Sequence, residues 1–432
     1  MSQEIELKFL VHPDVTGALR AALNALPGDH TTPRKLLNIY YETPDMLLRR
    51  HDMGLRIRGV DGCYEMTMKT AGRTVGGLHQ RPEYNVALTE PRLALSRFPQ
   101  EMWPEGLDAQ TLEPQLSPLF HTDFEREKWV VAYGKSRIEI ALDMGEIRGG
   151  ESREPLSELE LELLDGRVED ILALAREHLL RDGLRQGGLS KAARGYNLAR
   201  GNAPGECKAL SVLELPPKAT LEQGLSGALA QALAHWQYHE ELLARGVPGA
   251  QKQVAHAVAL ARHILALFGV VVPRKASARL REQLSQFSDA LDAETDTDAL
   301  AWRVVCGSAK LTLIDWLVTC GWQPFLSEAA RSKMQGSFKR FADTHLSRVA
   351  AELKAAFRQP LAGRDIDQLP RLERALHCAY VLAGFYPHDA RQPWIEGWQA
   401  LARAIDGNLV YQIEPLRKQA LSVAPFWRHS GQ

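Results

Sequence analysis

The amino terminus reads MSQEIELKFL, and within it Glu4, Glu6 and Lys8 recur at every second residue. Carboxylates are oxygen ligands for hard divalent cations, and a lysine ammonium is a compact charge for an anionic ligand. In a strand, residues i and i+2 share a face, about 6.5–7 Å apart. The three charges therefore stand in one row, with Ile5, Leu7 and Phe9 opposite. The same alternation places Arg56 with Arg58 in GLRIRG, and Glu65 with Thr67 and Lys69 in YEMTMK. It aligns Arg81, Glu83 and Asn85 in RPEYN, Arg126 and Lys128 in FEREKW, and Arg137, Glu139 and Asp143 in RIEIALD. In SELELEL it aligns Glu158, Glu160 and Glu162.

Any one such strand is the wet face of an antiparallel sheet. As a set they differ from that background. Arg, Lys and Glu dominate where Thr, Ser and Gln are usual, and the signs segregate by strand. The first and last strands are rich in carboxylates; the middle ones bring Arg56, Arg58, Lys69 and Arg126. If the sheet closes on itself, Glu4, Glu6, Glu160 and Glu162 converge with cations around them. Clustered carboxylates need a neutralising cation, for which Mg2+ or Mn2+ is suited. Clustered Arg and Lys need a polyanion. Together they point to a metal–polyphosphate site. The chain has no G-x-x-x-x-G-K-[ST] loop and no H-E-x-x-H, and RTVGG at 73–77 reads as a hairpin loop.

These rows sit on short alternating runs at Ile5–Leu10, Lys35–Glu42, Leu55–Val60, Tyr64–Thr70, Glu83–Leu88, Phe124–Tyr133, Arg137–Asp143 and Pro155–Leu163, which predict an antiparallel barrel or sandwich. Helical spacing appears at Asp14–Leu26 and Arg167–Leu180, and Ser190 reads as the N-cap of a helix starting at Lys191. Beyond residue 200 the breaker-rich GNAPGE and LPPKAT read as a linker. Long helical periods follow at Leu221–Ala244, Gln251–Phe268, Ser277–Leu291, Asp298–Thr319, Gly336–Phe357, Leu369–Ala383 and Trp394–Ile405, with the tryptophans as packing residues. The expectation is an α+β chain: residues 1–200 a β domain with flanking helices, 201–217 a linker, and 218–432 an all-α bundle.

The 432 residues carry a formal net charge of −1, which excludes a nucleic-acid binder held by overall basicity. No apolar run of about 18 residues is evident, so no membrane partner is expected. The acidic start argues against a secretory signal, and the five scattered cysteines suit a reducing, cytoplasmic setting.

EIELK resembles the E-x-E-x-K signature of CYTH domains, the triphosphate tunnel metalloenzymes. YYETPD, LRIR, Lys69, RPEYN, Arg126, ALDMG, ELELEL and LSKAARGY follow in family order. The resemblance covers about residues 1 to 200. It implies an eight-stranded tunnel acting on triphosphates, with Glu4, Glu6, Glu160 and Glu162 as metal ligands. Lys8, Arg56, Arg58, Lys69, Arg126 and Lys191 would bind phosphate. Glu83 and Asp143 would ligate metal or order water and cations. Which of Glu158, Glu160 and Glu162 ligates stays open. The helical half resembles a CHAD domain, a module associated with polyphosphate, with His256, Arg262, His263, His235 and His239 as its nearest candidates.

The expected activity is an inorganic triphosphatase splitting tripolyphosphate into pyrophosphate and phosphate. Glu4, Glu6 and a last-strand glutamate would hold one metal. A second near Glu160, Glu162 or Asp143 would activate water, and Lys8 and Lys191 would bind substrate or assist the leaving group. The alternatives are a hydrolase or cyclase of nucleoside or thiamine triphosphates, with Tyr40, Tyr41, Phe120 or Trp129 stacking on a base, and a non-catalytic polyphosphate binder.

Overall fold

A computed structural model of the chain describes residues 2–201, 203, 205–294, 296–360 and 365–428. Of the GNAPGE linker, Asn202 and Pro204 lie outside the described residues. Among the described residues ten strands form: β1 Ser2–Val11, β2 Gly28–Glu42, β3 Gly54–Val60, β4 Cys63–Lys69, β5 Arg73–Val75, β6 Leu78–Leu88, β7 Ser117–Tyr133, β8 Ser136–Gly149, β9 Ser152–Asp165 and β10 Leu184–Gln186. Eight of them close into an antiparallel barrel in the order β1, β9, β8, β7, β2, β3, β4, β6 and back to β1. Strand β1 makes the closure. Its residues 2–7 run against β6, from Ser2 opposite Glu83 to Leu7 opposite Leu78, and residues 6–10 run against β9, from Glu6 opposite Glu162 to Leu10 opposite Glu158. Closure removes the sheet edges and settles barrel over sandwich.

All eight alternating runs are barrel strands, and most extend beyond their alternating core. RTVGG is more than a loop. Arg73–Val75 pairs with β6, and Gly76 and Gly77, at φ 59° and 86°, form the two-residue turn into it. The short β10 pairs with Phe9–Val11 of β1 and went unforeseen, because three residues give no periodicity to read.

The pleat sorts the faces. On the outside, Leu55, Ile57, Met66 and Met68 pack against Leu95, Phe98, Met102 and Leu112 of the connection before β7. On the inside, charged residues occupy one stretch of the barrel and apolar residues another. Leu36, Tyr40, Phe120, Phe124, Ile147 and Leu156 cluster there with Tyr196 and Leu198. The last two come from the helix Lys191–Ala199, whose expected N-cap is present: Ser190 Oγ accepts from the Ala193 N–H at 3.1 Å. A Cβ on Gly195 would stand 2.1 Å from the Phe120 ring, so glycine lets this helix press onto the apolar plug.

The chain divides into two compact units. One comprises Met1–Glu206, Glu240–Pro248 and Asp292–Asp315; the other comprises Cys207–His239, Gly249–Leu291 and Trp316–Gln432. Within the first, the later segments hold β10. Trp302 O accepts from the Gly183 N–H at 2.8 Å, Lys310 Nζ donates to Gln186 O at 3.4 Å, and Arg185 pairs with Glu241 at 2.7 Å.

After residue 220 the chain is helical, with principal helices Leu221–Leu243, Ala250–Leu267, Ala278–Ala293, Val304–Val318, Phe338–Phe357, Leu369–Leu382, His388–Asp406 and Val410–Ser422. The expected single helix at 298–319 is broken into Thr297–Leu300 and Val304–Val318, with Asp182 Oδ1 accepting from the Val304 N–H at 2.7 Å. Trp316, Trp322, Trp394 and Trp398 are buried packing residues. Ala250–Val270 is long and apolar enough to cross a bilayer, with a mean hydropathy of 1.4, although no such run was evident from the sequence. Its Val254, Ala257, Val258, Ala261 and Ile264 are buried core residues.

Gly195→Val is expected to destabilise the protein by about 1–3 kcal/mol through overpacking against Phe120, despite better helix propensity. Urea unfolding checks this; an unchanged midpoint would mean that the helix does not press on the plug.

Candidate active site

Inside the barrel lies a cavity of about 190 Å³. Of the residues singled out in the sequence, Glu4, Glu6, Glu83, Glu160 and Glu162 line it. So do Arg56, Arg58, Lys69, Arg126 and Lys191. Lys8 and Asp143 do not. They belong with Glu158 to a fully buried layer beside the cavity, each at 0% exposure.

That layer is a lattice of compensated charge. Asp143 accepts both prongs of Arg126, each at 2.6 Å, and pairs with Lys191 at 2.7 Å. Glu158 meets Lys8 at 2.5 Å, Lys191 at 2.9 Å and Arg194 at 2.6 Å. Lys191 also reaches Glu160 at 2.5 Å, and Arg126 reaches it at 2.7 Å. Burial alone would raise the Glu158 carboxyl, but Lys191, Lys8 and Arg194 hold it at about 2. Burial likewise opposes the Lys191 ammonium, and Asp143, Glu158 and Glu160 overcome it, so its pKa stands above the ordinary value. Lys8 and Asp143 thus carry the lattice, and both Asp143 oxygens are taken. For Asp143 this is the ordering of cations that was one of its expected roles; Lys8 meets Glu158 in this structure.

The cavity wall is compensated unevenly. On β1 and β9, Glu6 lies opposite Glu162, and among the described residues no cation pairs with either. Burial, then Glu160, raises the Glu6 carboxyl. Burial, then Glu4 and Glu139, pushes Glu162 up to about 7. Glu4 is raised too, chiefly by burial, although Lys69 pairs with it at 2.5 Å. Glu83 differs: Lys69, at 3.4 Å, and Arg56 outweigh burial and hold it at about 2.

On β3 the imbalance has the other sign. Arg58 donates to the neutral Asn38 Oδ1 at 2.9 Å. Burial, then Arg56 and Arg126, lowers it to about 9. Carboxylates short of a cation and a guanidinium short of an anion therefore face one cavity.

Among the described residues no three His, Cys, Asp or Glu side chains converge as a ready-made metal centre. A hard cation such as Mg2+ does not require one, because it keeps several waters and binds through one or two carboxylates plus substrate phosphates. The Glu6–Glu162 pair fits that need. Sequence reasoning passed over Arg49, His79, Arg81, Lys128 and Glu139 as site residues, although all line the cavity. Arg81, Lys128 and Glu139 share faces with chosen residues, and that signal was available. His79, two residues before Arg81 on β6, shares that face as well; Arg49 gave no such signal.

Residues 2–196 match the CYTH domain family and residues 227–407 the CHAD domain family. The chain carries an amino-terminal CYTH domain followed by a CHAD domain. It is 39% identical over 199 residues to an inorganic triphosphatase of Haemophilus influenzae, which covers 46% of this chain and 55% of that protein. The chain thus spans just over half the length of that relative. A putative adenylyl cyclase from Hippeastrum, described as having a dominant triphosphatase activity, covers 45% of this chain and 95% of its own, with 18% identity and a TM-score of 0.34. The CHAD domain of Ricinus communis covers 51% of this chain and 90% of its own, with 18% identity and a TM-score of 0.30.

In the helical part, the expected histidines face one another. His263 Nδ1 lies 2.7 Å from His377 Nδ1, and the rings of His235 and His239 are 4.1 Å apart. Burial, then a neighbouring histidine or arginine, lowers His235 and His263 to about 4, so they are uncharged at neutral pH. Arg262 is exposed and donates to Ser288.

The two kinds of glutamate respond oppositely to neutralisation. Glu158→Gln strands Lys8, whose next carboxylate is Glu160 at 3.6 Å, takes one partner each from Lys191 and Arg194, and is expected to cost about 3–5 kcal/mol. Glu162→Gln removes a half-buried, uncompensated charge. The Glu162 pKa rises from 4.5 to about 7 on folding, so its contribution is present below 4.5 and lost as pH climbs through 7. The chelated E162Q variant should therefore melt higher than the parent at pH 8 and close to it at pH 5. Thermal unfolding at the two pH values checks both, and a lower E162Q midpoint at pH 8 would contradict the charge assignment.

Proposed function

We propose that the CYTH domain hydrolyses inorganic tripolyphosphate to pyrophosphate and phosphate with a divalent cation, Mg2+ or Mn2+. The observation that carries this reading is the double imbalance of the cavity, with unpaired Glu6 and Glu162 on one wall and an uncompensated Arg58 on another. A metal–polyphosphate complex supplies both missing charges. The name of the 39% identical relative supports the choice of an inorganic substrate.

Glu6 and Glu162 would hold the cation, with Glu4 beside them on β1 and Glu160 at the edge of the lattice. When bound, the cation withdraws charge from the phosphate oxygens and lowers the pKa of a coordinated water. Arg56, Arg58 and Arg126 orient the phosphate chain and stabilise the charge spread over the transferring phosphoryl group. Lys191, held protonated by its carboxylates, meets the departing phosphate. Lys8 and Asp143 act one step back, by fixing Glu158, Glu160, Arg126 and Lys191 in place.

A base-bearing substrate is less well served. Of the four aromatics considered for stacking, Tyr40 lines the cavity, and its ring is already stacked on Phe120 at 4.4 Å. Trp129 donates to Asn24 and stacks on His30, and Tyr41 packs in the outer core.

With Mg2+ or Mn2+, tripolyphosphate is expected to turn over at least tenfold faster than ATP or thiamine triphosphate. Preferred turnover of ATP, or formation of cyclic AMP, overturns the substrate choice. Glu6→Gln should cut hydrolysis at least a hundredfold while retaining metal-free tripolyphosphate binding. Hydrolysis surviving in that variant would refute the ligand role, and binding without hydrolysis in the parent would favour a polyphosphate-binding protein.

A further inference from the structure

Glu42 closes β2 and is buried, yet it does not line the cavity. Its carboxylate takes four donors. Oε1 accepts from the Thr43 N–H at 2.8 Å and the Leu48 N–H at 3.0 Å, while the Thr43 hydroxyl donates to Asp45 at 2.7 Å. Oε2 accepts from the Arg49 N–H at 2.9 Å and the Tyr196 hydroxyl at 3.0 Å. Burial, then Glu42 itself, raises the Tyr196 phenol, so Tyr196 is the donor in this bond. One side chain thereby ties the β2–β3 connection to the helix Lys191–Ala199.

Both tied elements bring a side chain to the cavity. Arg49 and Tyr196 line it, and the Arg49 guanidinium carbon lies 5.5 Å from the centre of the Tyr196 ring. The neighbouring Arg50 is neutralised by Asp45. Among the described residues no carboxylate pairs with Arg49. It is an exposed cation at the cavity, fixed from behind by its own backbone N–H and from below by an aromatic ring. A pre-oriented planar fork of that kind matches the oxygens of a free phosphate end.

We propose that Arg49 is a further substrate-binding residue, contacting the unsubstituted terminal phosphate of a linear polyphosphate, and that Glu42 is the residue that positions it. This rests on the polyphosphate reading of the cavity. Tripolyphosphate has an unsubstituted end at both termini and a nucleoside triphosphate only at its γ-phosphate, so the contact selects for inorganic chains only where the end it meets is the one esterified in the nucleotide.

The test is tripolyphosphate binding by calorimetry, on the full chain with metal chelated, alongside steady-state hydrolysis with Mg2+. Arg49→Ala is expected to weaken metal-free binding at least tenfold and to raise KM with little change in kcat. Glu42→Gln should shift KM in the same direction by a smaller factor, and the double variant should be no worse than Arg49→Ala alone, because the positioning acts through the arginine. Arg49 is exposed, so its variant also serves if Glu42→Gln folds poorly. Unchanged binding and KM in Arg49→Ala overturns the proposal, as does full additivity of the two substitutions. If the parent binds tripolyphosphate without hydrolysing it and Arg49→Ala still weakens binding, the hydrolase reading fails and this one stands. If the parent does not bind tripolyphosphate at all, both fail.

Discussion

The structure depends on charge balance inside a closed barrel. Moving carboxylates, ammoniums and guanidiniums out of water is costly, and their attraction offsets the cost only where the partners are close and well aimed. The lattice of Lys8, Arg126, Asp143, Glu158, Glu160, Lys191 and Arg194 meets that condition, with contacts of 2.5–2.9 Å throughout its core. It draws on β1, β7, β8, β9 and the helix Lys191–Ala199. The pairing of β1 with β9, next to β8 and β7, is what brings those strands together: it sets Lys8 opposite Glu160, within reach of Glu158. The charges depend on the fold, and the fold places its strands so that the charges are met.

The apolar plug does complementary work. Leu36, Tyr40, Phe120, Phe124, Ile147 and Leu156 fill one stretch of the interior, and the helix carrying Lys191 and Arg194 lies on them through Tyr196 and Leu198. Those two cations reach the lattice because Gly195 lets the helix come close. A lower dielectric next to the plug strengthens each pair and also each mismatch. Well-paired groups such as Glu158 and poorly paired ones such as Glu162 can therefore differ widely in proton affinity although they lie four residues apart on one strand.

Much of this was legible in the sequence because strand periodicity is a local signal. EIELK, LRIR, FEREKW and SELELEL each declare which residues share a face, and the barrel interior is the sum of those faces. Pleat geometry cannot tell which member of a face meets the ligand. Glu158, Glu160 and Glu162 are equivalent by spacing, and they separate only when Lys8, Lys191 and Arg194 reach the first of them from elsewhere in the chain. Spacing likewise left Asp143 between ligating metal and ordering water and cations; the bidentate grip of Arg126 is a property of the β7–β8 register. Arg49 gave no pattern at all, and Glu42, although it ends an alternating run, gave none that tells its role, because both roles come from an irregular connection. Strand β10 is held by Trp302 and Lys310, more than a hundred residues further on, and no window of sequence contains both.

The uneven cavity wall also bears on how ligands would bind together. Glu6 and Glu162 sit on β1 and β9, and Arg58 sits on β3, with β6 and β4 between. Strand geometry therefore prevents the unpaired carboxylates and the unpaired guanidinium from neutralising one another directly. A cation alone would relieve the first wall and leave Arg58 uncompensated; a polyanion alone would relieve Arg58 while facing two carboxylates. Each ligand removes the repulsion that opposes the other, so the two should bind with positive coupling, and that coupling is reciprocal. On the proposed reading, a barrel with a near-neutral interior selects a metal–polyphosphate complex over either component, because the shortage of each sign is local even where the total is balanced.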